Sequence, residues 1–365
     1  VALWDNGHDR KFVDRKTGKI ENVKFIVNVN NINLKQNVNN RPNLATDVFV
    51  GGVAGEIAGS LDLNNSPVTI SGNIKTSFAI TDKNIYFGGV AGRLLGNVSG
   101  IYTQPSDLKG VVYNIGLNVH FIQAENNVTA TNLIVGGVAG VAENANISGI
   151  IAMGQIEIAS TLSLANGFVA GVVGQATNSQ IKDIVLLGVN IYAGSPNLNL
   201  AGVAGKTLGS ETEKTIISNV KFIGFRIEDG IENGLTLNPD NYGLISNVNS
   251  SNNGVGTVAG VVAQMGNNTT ITLCSVENFA DADMLVGGQV SGLAQVVDSA
   301  ENVEILLSYV NANILAGTTK QSSLLANIAT SNSYYIGKFV GSRNAGIAGT
   351  NNYIFVLDGN GNVNY

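Results

Sequence analysis

The sequence predicts an all-β chain wound as a right-handed parallel β-helix, a β-solenoid of irregular coils. Three observations predict it. The octapeptide VFVGGVAG at 48–55 recurs along the chain. Most copies are followed by apolar residues alternating with polar ones at period two, which is a strand signal. No window carries sustained 3.6-residue periodicity with caps, so almost no helix is expected.

The copies are IYFGGVAG at 85–92, LIVGGVAG at 133–140 and GFVAGVVG at 167–174, then LNLAGVAG at 198–205, GTVAGVVA at 256–263, MLVGGQVSG at 284–292 and YYIGKFVG at 334–341. Aligned on their second small residue they fall at 52, 89, 137, 171, 202, 260, 288 and 338, at intervals of 37, 48, 34, 31, 58, 28 and 50. The segments that follow include NISGIIAMGQIEIA (146–159), SQIKDIVLLGVNIYA (179–193), SNVKFIGFRIED (218–229) and ENVEILLSYVNANILA (301–316). The pentapeptide NVKFI occurs at both 22–26 and 219–223, so the chain is expected to enter the pattern partway through a unit. Residues 1–20 read as a charged lead-in and 21–365 as one solenoid domain of a longer chain. The closing NNYIFVLDGNGNVNY reads as a last coil.

Short strands between Gly/Asn turns cannot bury an apolar face alone, but stacked units cover one another. Equivalent side chains then form columns about 4.8 Å apart. The column before the small pair is apolar throughout: Val50, Phe87, Val135, Val169, Leu200, Val258, Val286 and Ile336. The small pair itself reads Gly51–Gly52, Gly88–Gly89, Gly136–Gly137, Ala170–Gly171, Ala201–Gly202, Ala259–Gly260, Gly287–Gly288 and Gly337 before Lys338. Alanine at three of the first positions argues for close packing rather than an obligatory positive φ. The next column is valine except for Gln289 and Phe339, and Gln289 has no place in it. The 49 asparagines suit αL turns and inter-coil ladders, and the longest interval allows one coil or two. Eight to fifteen coils would make a rod of roughly 40–70 Å.

This G-G-V-A-G core, with an aliphatic before it and N/S-x-I/V strands after it, resembles the GLUG-motif repeats of bacterial surface proteins. Those occur in filamentous adhesins and in N-terminal regions of some IgA-protease-like metallopeptidases. The resemblance covers most of 48–345 and implies a secreted or surface-attached setting. It transfers no catalytic residue.

The chemistry looked for is sparse. A net charge of −6 counts against tracking a phosphate backbone. Cys274 stands alone in TITLCSV and reads as a buried free thiol, and His8 and His120 have no metal-site spacing. H-E-x-x-H, G-x-S-x-G, Walker A and CxxC patterns are absent from the sequence. Asp281 and Asp283 alternate in FADADM and are weak candidates for Ca²⁺ or an acid pair; Glu228, Asp229 and Glu232 with Arg226 are the other acids considered. The N-x-S/T triplets at Asn97, Asn127, Asn146, Asn249, Asn267 and Asn268 follow from composition.

The expected function is a non-catalytic extracellular stalk, adhesin or interaction module of a larger bacterial surface protein, without cofactor. Its partners would be a host or neighbouring-cell surface protein or glycan and adjacent domains of the same polypeptide, with no nucleic acid and no direct membrane insertion. The alternative is a carbohydrate-active β-helix enzyme, a polysaccharide lyase or glycosidase with an acidic groove. The insertions at 101–110 and 229–256 are where function is expected to depart from the repeat.

Overall fold

The computed structural model describes residues 19–20, 26–34, 47–62, 68–76, 84–100, 117–124, 130–158, 164–224, 243–278, 283–297, 300–316, 319–321, 328–329, 335–337, 356–357 and 363–364. Every regular element among them is a β-strand. The strands form three large sheets, and almost all pairings are parallel, between one repeat and the next. Sheet I stacks the strands entering the small pair: Val48–Gly51, Asn84–Gly88, Ala130–Gly136, Leu164–Ala170, Leu198–Ala201, Thr257–Ala259, Gln289–Ser291 and Tyr335–Gly337. Sheet II stacks those leaving it: Ala54–Ile57, Ala91–Leu94, Ala139–Glu143, Val173–Thr177, Ala204–Leu208, Val262–Met265 and Ala294–Val296. Sheet III has 18 strands and takes the longer segments that follow, such as Asn146–Ile158 and Thr215–Gly224.

Each of the first six octapeptides is therefore one layer: strand, bend, strand. Leu200 pairs with Val258 and Ala201 with Ala259, so the 58-residue interval also spans a single layer, and its extra length is insertion. Of the NVKFI copy at 22–26, only Ile26 lies among the described residues. Ile26 pairs with Thr69, Thr69 with Asn118 and Asn118 with Met153. Parallel pairing already begins with Lys19 and Ile20 against Ser60 and Leu61.

Two sequence expectations need correction. In the seventh copy Val258 pairs with Val290 and Ala259 with Ser291, so the small pair is Ser291–Gly292, and Gly287–Gly288 is out of register. Gly287 instead ends the strand Asp283–Gly287 of sheet III. The apolar count favours this choice: Val290 and Leu293 both enter the core, whereas the other register would put Gln289 there. Ile336 and Gly337 then continue the column by pairing with Val290 and Ser291. The second correction is at the C-terminus, where Val356–Leu357 and Val363–Asn364 make their own antiparallel pair rather than a last coil. Antiparallel strands also end two of the sheets, Thr319–Gln321 on sheet III and Ile328–Ala329 on sheet I.

Most of the core among the described residues is one continuous cluster. Val50, Phe87, Val135, Val169, Leu200 and Val258 enter it from sheet I, and Val53, Val90, Val138, Val172, Val203 and Val261 from the bend. Sheet III adds Ile147, Ile181, Ile217, Ile271 and Ile305. Polar ladders run outside these columns. Asn132 Nδ2 donates to Asn84 Oδ1 at 2.6 Å, Asn199 Nδ2 to Asn166 Oδ1 at 3.0 Å, and Asn302 Nδ2 to Asn268 Oδ1 at 2.9 Å.

One corner of sheet III takes αL backbone in five successive layers, at Gly149, Asp183, Asn219, Leu273 and Leu307. Glycine, aspartate and asparagine accept that geometry, and Asn219 Nδ2 also donates to Asp183 Oδ1 at 2.7 Å. The two leucines do not suit it, and Leu273 is 54% exposed, so little burial compensates. Leu273→Asn is expected to stabilise the protein by about 1 kcal/mol, because αL strain falls and the ladder lengthens. A lower urea midpoint than wild type would contradict this account.

Candidate functional site

The octapeptide bends the chain so that the outward faces of sheets I and II meet. On sheet I the residues alternating with the core column are Phe49, Tyr86, Ile134, Phe168, Asn199, Thr257 and Gln289. On sheet II the outward column is Glu56, Arg93, Val141, Gln175, Lys206 and Gln264. The two columns touch across the bend. The Arg93 guanidinium lies over the Phe49 ring at 5.7 Å and the Lys206 ammonium over the Phe168 ring at 5.6 Å. Both distances lie within the range of cation–π attraction.

The third glycine of the octapeptide makes this meeting possible. A Cβ on Gly205 would sit 2.7 Å from Phe168 Cβ, and one on Gly174 would run into Ile134 Cγ2. A Cβ on Gly140 would lie 2.7 Å from the Phe87 backbone nitrogen. At Gly174 and Gly205 the outward side chain of the preceding layer lies across the glycine, and at Gly92 and Gly140 the preceding layer's backbone does. In the middle layers the bend is closed by its own walls, with Ile134, Val141 and Phe168 all buried. In the first two layers Phe49, Tyr86 and Arg93 are only half-buried, and Gly55 and Glu56 are exposed.

A polar cluster forms at this open end. Arg93 Nη2 bonds Glu143 Oε2 at 2.5 Å, and its Nη1 lies 3.4 Å from Glu56 Oε2. These carboxylates hold the guanidinium pKa above its usual value; the hydrogen bond that Arg93 donates to Glu143 is the largest contribution. The Phe49 and Tyr86 rings stack at 4.9 Å, and Asn84 Nδ2 donates to the Tyr86 hydroxyl at 3.4 Å. Burial, with the Asp47 charge next, raises the Tyr86 phenol pKa.

Reading the octapeptides as separate motifs missed this cluster. The signal was present in the spacing, because Glu56 and Arg93 are 37 residues apart, the same as the first interval between copies. Of the acids expected from sequence, Asp283 opens a strand and pairs with Asn313, while Asp281, Arg226, Glu228, Asp229 and Glu232 lie outside the described residues. His120 lies on the strand Leu117–Ala124, and His8 and Asn127 are outside the described residues. Among the described residues no three His, Cys, Asp or Glu side chains gather around one point. No described helix is long and apolar enough to cross a membrane. Insertion 101–110 lies outside the described residues, and of 229–256 only 243–256 lies within them. Gly224 and Gly243, which flank residues 225–242, lie against each other: a Cβ on Gly243 would sit 2.6 Å from Gly224 Cα.

Cys274 is a buried free thiol whose Sγ donates to Thr272 O at 3.3 Å. Burial pushes its pKa up to about 12 from the ordinary 9.0. Its contribution to stability is complete below pH 9.0 and is lost as pH rises toward 12, because the unfolded thiol ionises first. A thiol reagent at neutral pH is expected to label Cys274 only on unfolding. Stoichiometric labelling of native protein would contradict that burial.

No family model, no curated protein and no solved structure matches this chain.

Proposed function

We propose that the three sheets close into a right-handed parallel β-helix, and that the chain is a non-catalytic interaction rod of a surface or secreted protein, GLUG-like in its repeat. The observation that carries the reading is the register. Each octapeptide stacks on the next in parallel, so lengthening the chain lengthens the structure. Eight stacked layers at roughly 4.8 Å correspond to a rod about 40 Å long. The right hand follows from the usual crossover of parallel strands. The half-buried Phe49–Tyr86 pair, beside Glu56 and Arg93, is the surface through which a glycan or another polar polymer would be met.

The Glu56–Arg93–Glu143 cluster favours a second reading, a carbohydrate-active enzyme, since it brings two carboxylates and an arginine together. The geometry opposes it: both carboxylates are ion-paired to the same guanidinium, so neither stands apart as the separate acid and nucleophile that glycoside hydrolysis requires. Incubation with polyuronates and neutral glucans, followed by chromatography of the products, separates the two. The rod reading expects intact polymer, and chain cleavage abolished by Glu143→Gln would overturn it. Small-angle scattering tests the shape; a compact, isometric particle would sink the β-helix.

A further inference from the structure

Residues 248–254 turn tightly between the strand Ile245–Asn247 and the strand Thr257–Ala259, and the turn carries an Asn253–Gly254 pair. Two backbone bonds frame it, Val255 N–H to Asn247 O at 2.8 Å and Asn249 N–H to Asn253 O at 3.0 Å. They flank the antiparallel bridge between Val248 and Gly254, so Gly254 is in the pair whose own N–H groups point away from the ladder. Asn249 Oδ1 accepts from the N–H groups of Ser251 and Asn253, which holds the backbone while leaving the Asn253 side chain exposed.

The pair Asn166–Gly167 offers an internal contrast. There the Gly167 N–H is engaged by Asn197 O at 2.9 Å and by Asn166 Oδ1 at 2.9 Å. The carboxamide oxygen of Asn166 also accepts from Asn199 Nδ2 at 3.0 Å. Nucleophile and electrophile are both held in the sheet.

We propose that Asn253 is a self-modification site that deamidates through its own backbone, while Asn166 is protected by the fold. Gly254 itself is buried beside the exposed Asn253, so base reaches the Gly254 N–H from the Asn253 side. The nitrogen loses its proton to hydroxide and attacks Asn253 Cγ; the Cγ–Nδ2 bond breaks and the side-chain nitrogen leaves as ammonia. The five-membered succinimide then adds water across either imide C–N bond, giving aspartate or isoaspartate. No oxidant or cofactor is involved. Glycine after the asparagine matters because it has no Cβ to hinder the attack. Each conversion adds one negative charge. The isoaspartate product also adds a backbone carbon between Asn249 and Thr257, where the chain enters sheet I.

The test is timed incubation of the folded protein at mildly alkaline pH, with peptide mapping by mass spectrometry. A synthetic peptide SNVNSSNNGVGT, matching 246–257, provides the unrestrained rate. Asn253 is expected to convert at a rate close to the peptide's and at least about tenfold faster than Asn166, since two hydrogen bonds must open at Asn166. Gly254→Ala, with its fold checked by circular dichroism, is expected to slow conversion at 253 alone. Equal rates at the two sites, or an unconverted Asn253 beside a converting peptide, would overturn the proposal.

Discussion

Gly260→Ala is expected to cost about 3 kcal/mol, whereas Ala259→Gly, one residue earlier, costs less than about 1 kcal/mol. Both positions belong to the same small pair, but alanine replaces glycine only at the first of them in the aligned repeats. The difference lies in what faces them. A Cβ on Gly260 would run into the carbonyl oxygen of Gly292 in the next layer and lie 2.6 Å from Val276 Cγ2. The carbonyl is backbone and cannot turn aside, so the layers must separate. The same conflict recurs at Gly137 against Gly171, Gly171 against Gly202, and Gly202 against Gly260. From Gly137 to Gly260 the column is glycine because each of these residues packs directly on its successor's carbonyl. Ala259 instead joins Ala170, Ala201 and Ala263 in a small apolar cluster, so removing its methyl costs little more than backbone entropy. Urea unfolding of the two variants measures both numbers. Equal losses would refute the distinction.

The first position is not uniform either. At Gly51, Gly88 and Gly136 a Cβ would collide with the carbonyl oxygens of Ala54, Ala91 and Ala139, while alanine occupies the equivalent places in the next three layers. The bend is therefore tighter in the first three layers, and Gly-or-Ala interchange does not extend along the whole column.

Asn247→Leu is expected to cost about 3 kcal/mol, a large loss for a residue that looks like one asparagine among many. Its side chain is fully buried. Its Oδ1 accepts from Ser195 N–H at 3.0 Å, and its Nδ2 donates to Ser195 O at 2.9 Å and Leu198 O at 3.1 Å. Leucine has similar bulk but leaves the Ser195 N–H and two carbonyls without those partners inside the protein. Orphaned backbone groups cost more than the average hydrogen bond contributes. Asn247→Asp separates the parts: it keeps the acceptor for Ser195 N–H but faces two carbonyls with a carboxylate, so its midpoint should fall further as pH rises above the carboxylate range. A midpoint independent of pH would show that the carboxamide donors are unimportant. Asn190 has a matching role, accepting from the N–H groups of Gly243 and Leu244 where the chain returns from residues 225–242.

The apolar column from Val50 to Val258 was legible because burial is written in side-chain type and its interval is short. The described parts of the period-two segments, such as Asn146–Ile158 and Gln180–Leu187, are strands for the same reason. Register at the seventh copy was not legible from the motif alone. MLVGGQVSG offers two small pairs, and a local match prefers the glycine pair, yet pairing puts Val290 and Leu293 in the core.

By itself, then, the sequence determined that this chain is built of stacked strands, where most of its layers begin and which side chains face inward. Those follow from residue chemistry repeated at intervals. Only the tertiary structure decided which glycine is indispensable, that Arg93 lies between Glu56 and Glu143, and that Asn253 and Asn166 differ though both precede glycine. Each of these depends on atoms brought together from different layers. A carbonyl, a carboxylate or a hydrogen-bonded amide in the next layer leaves no mark on the local sequence.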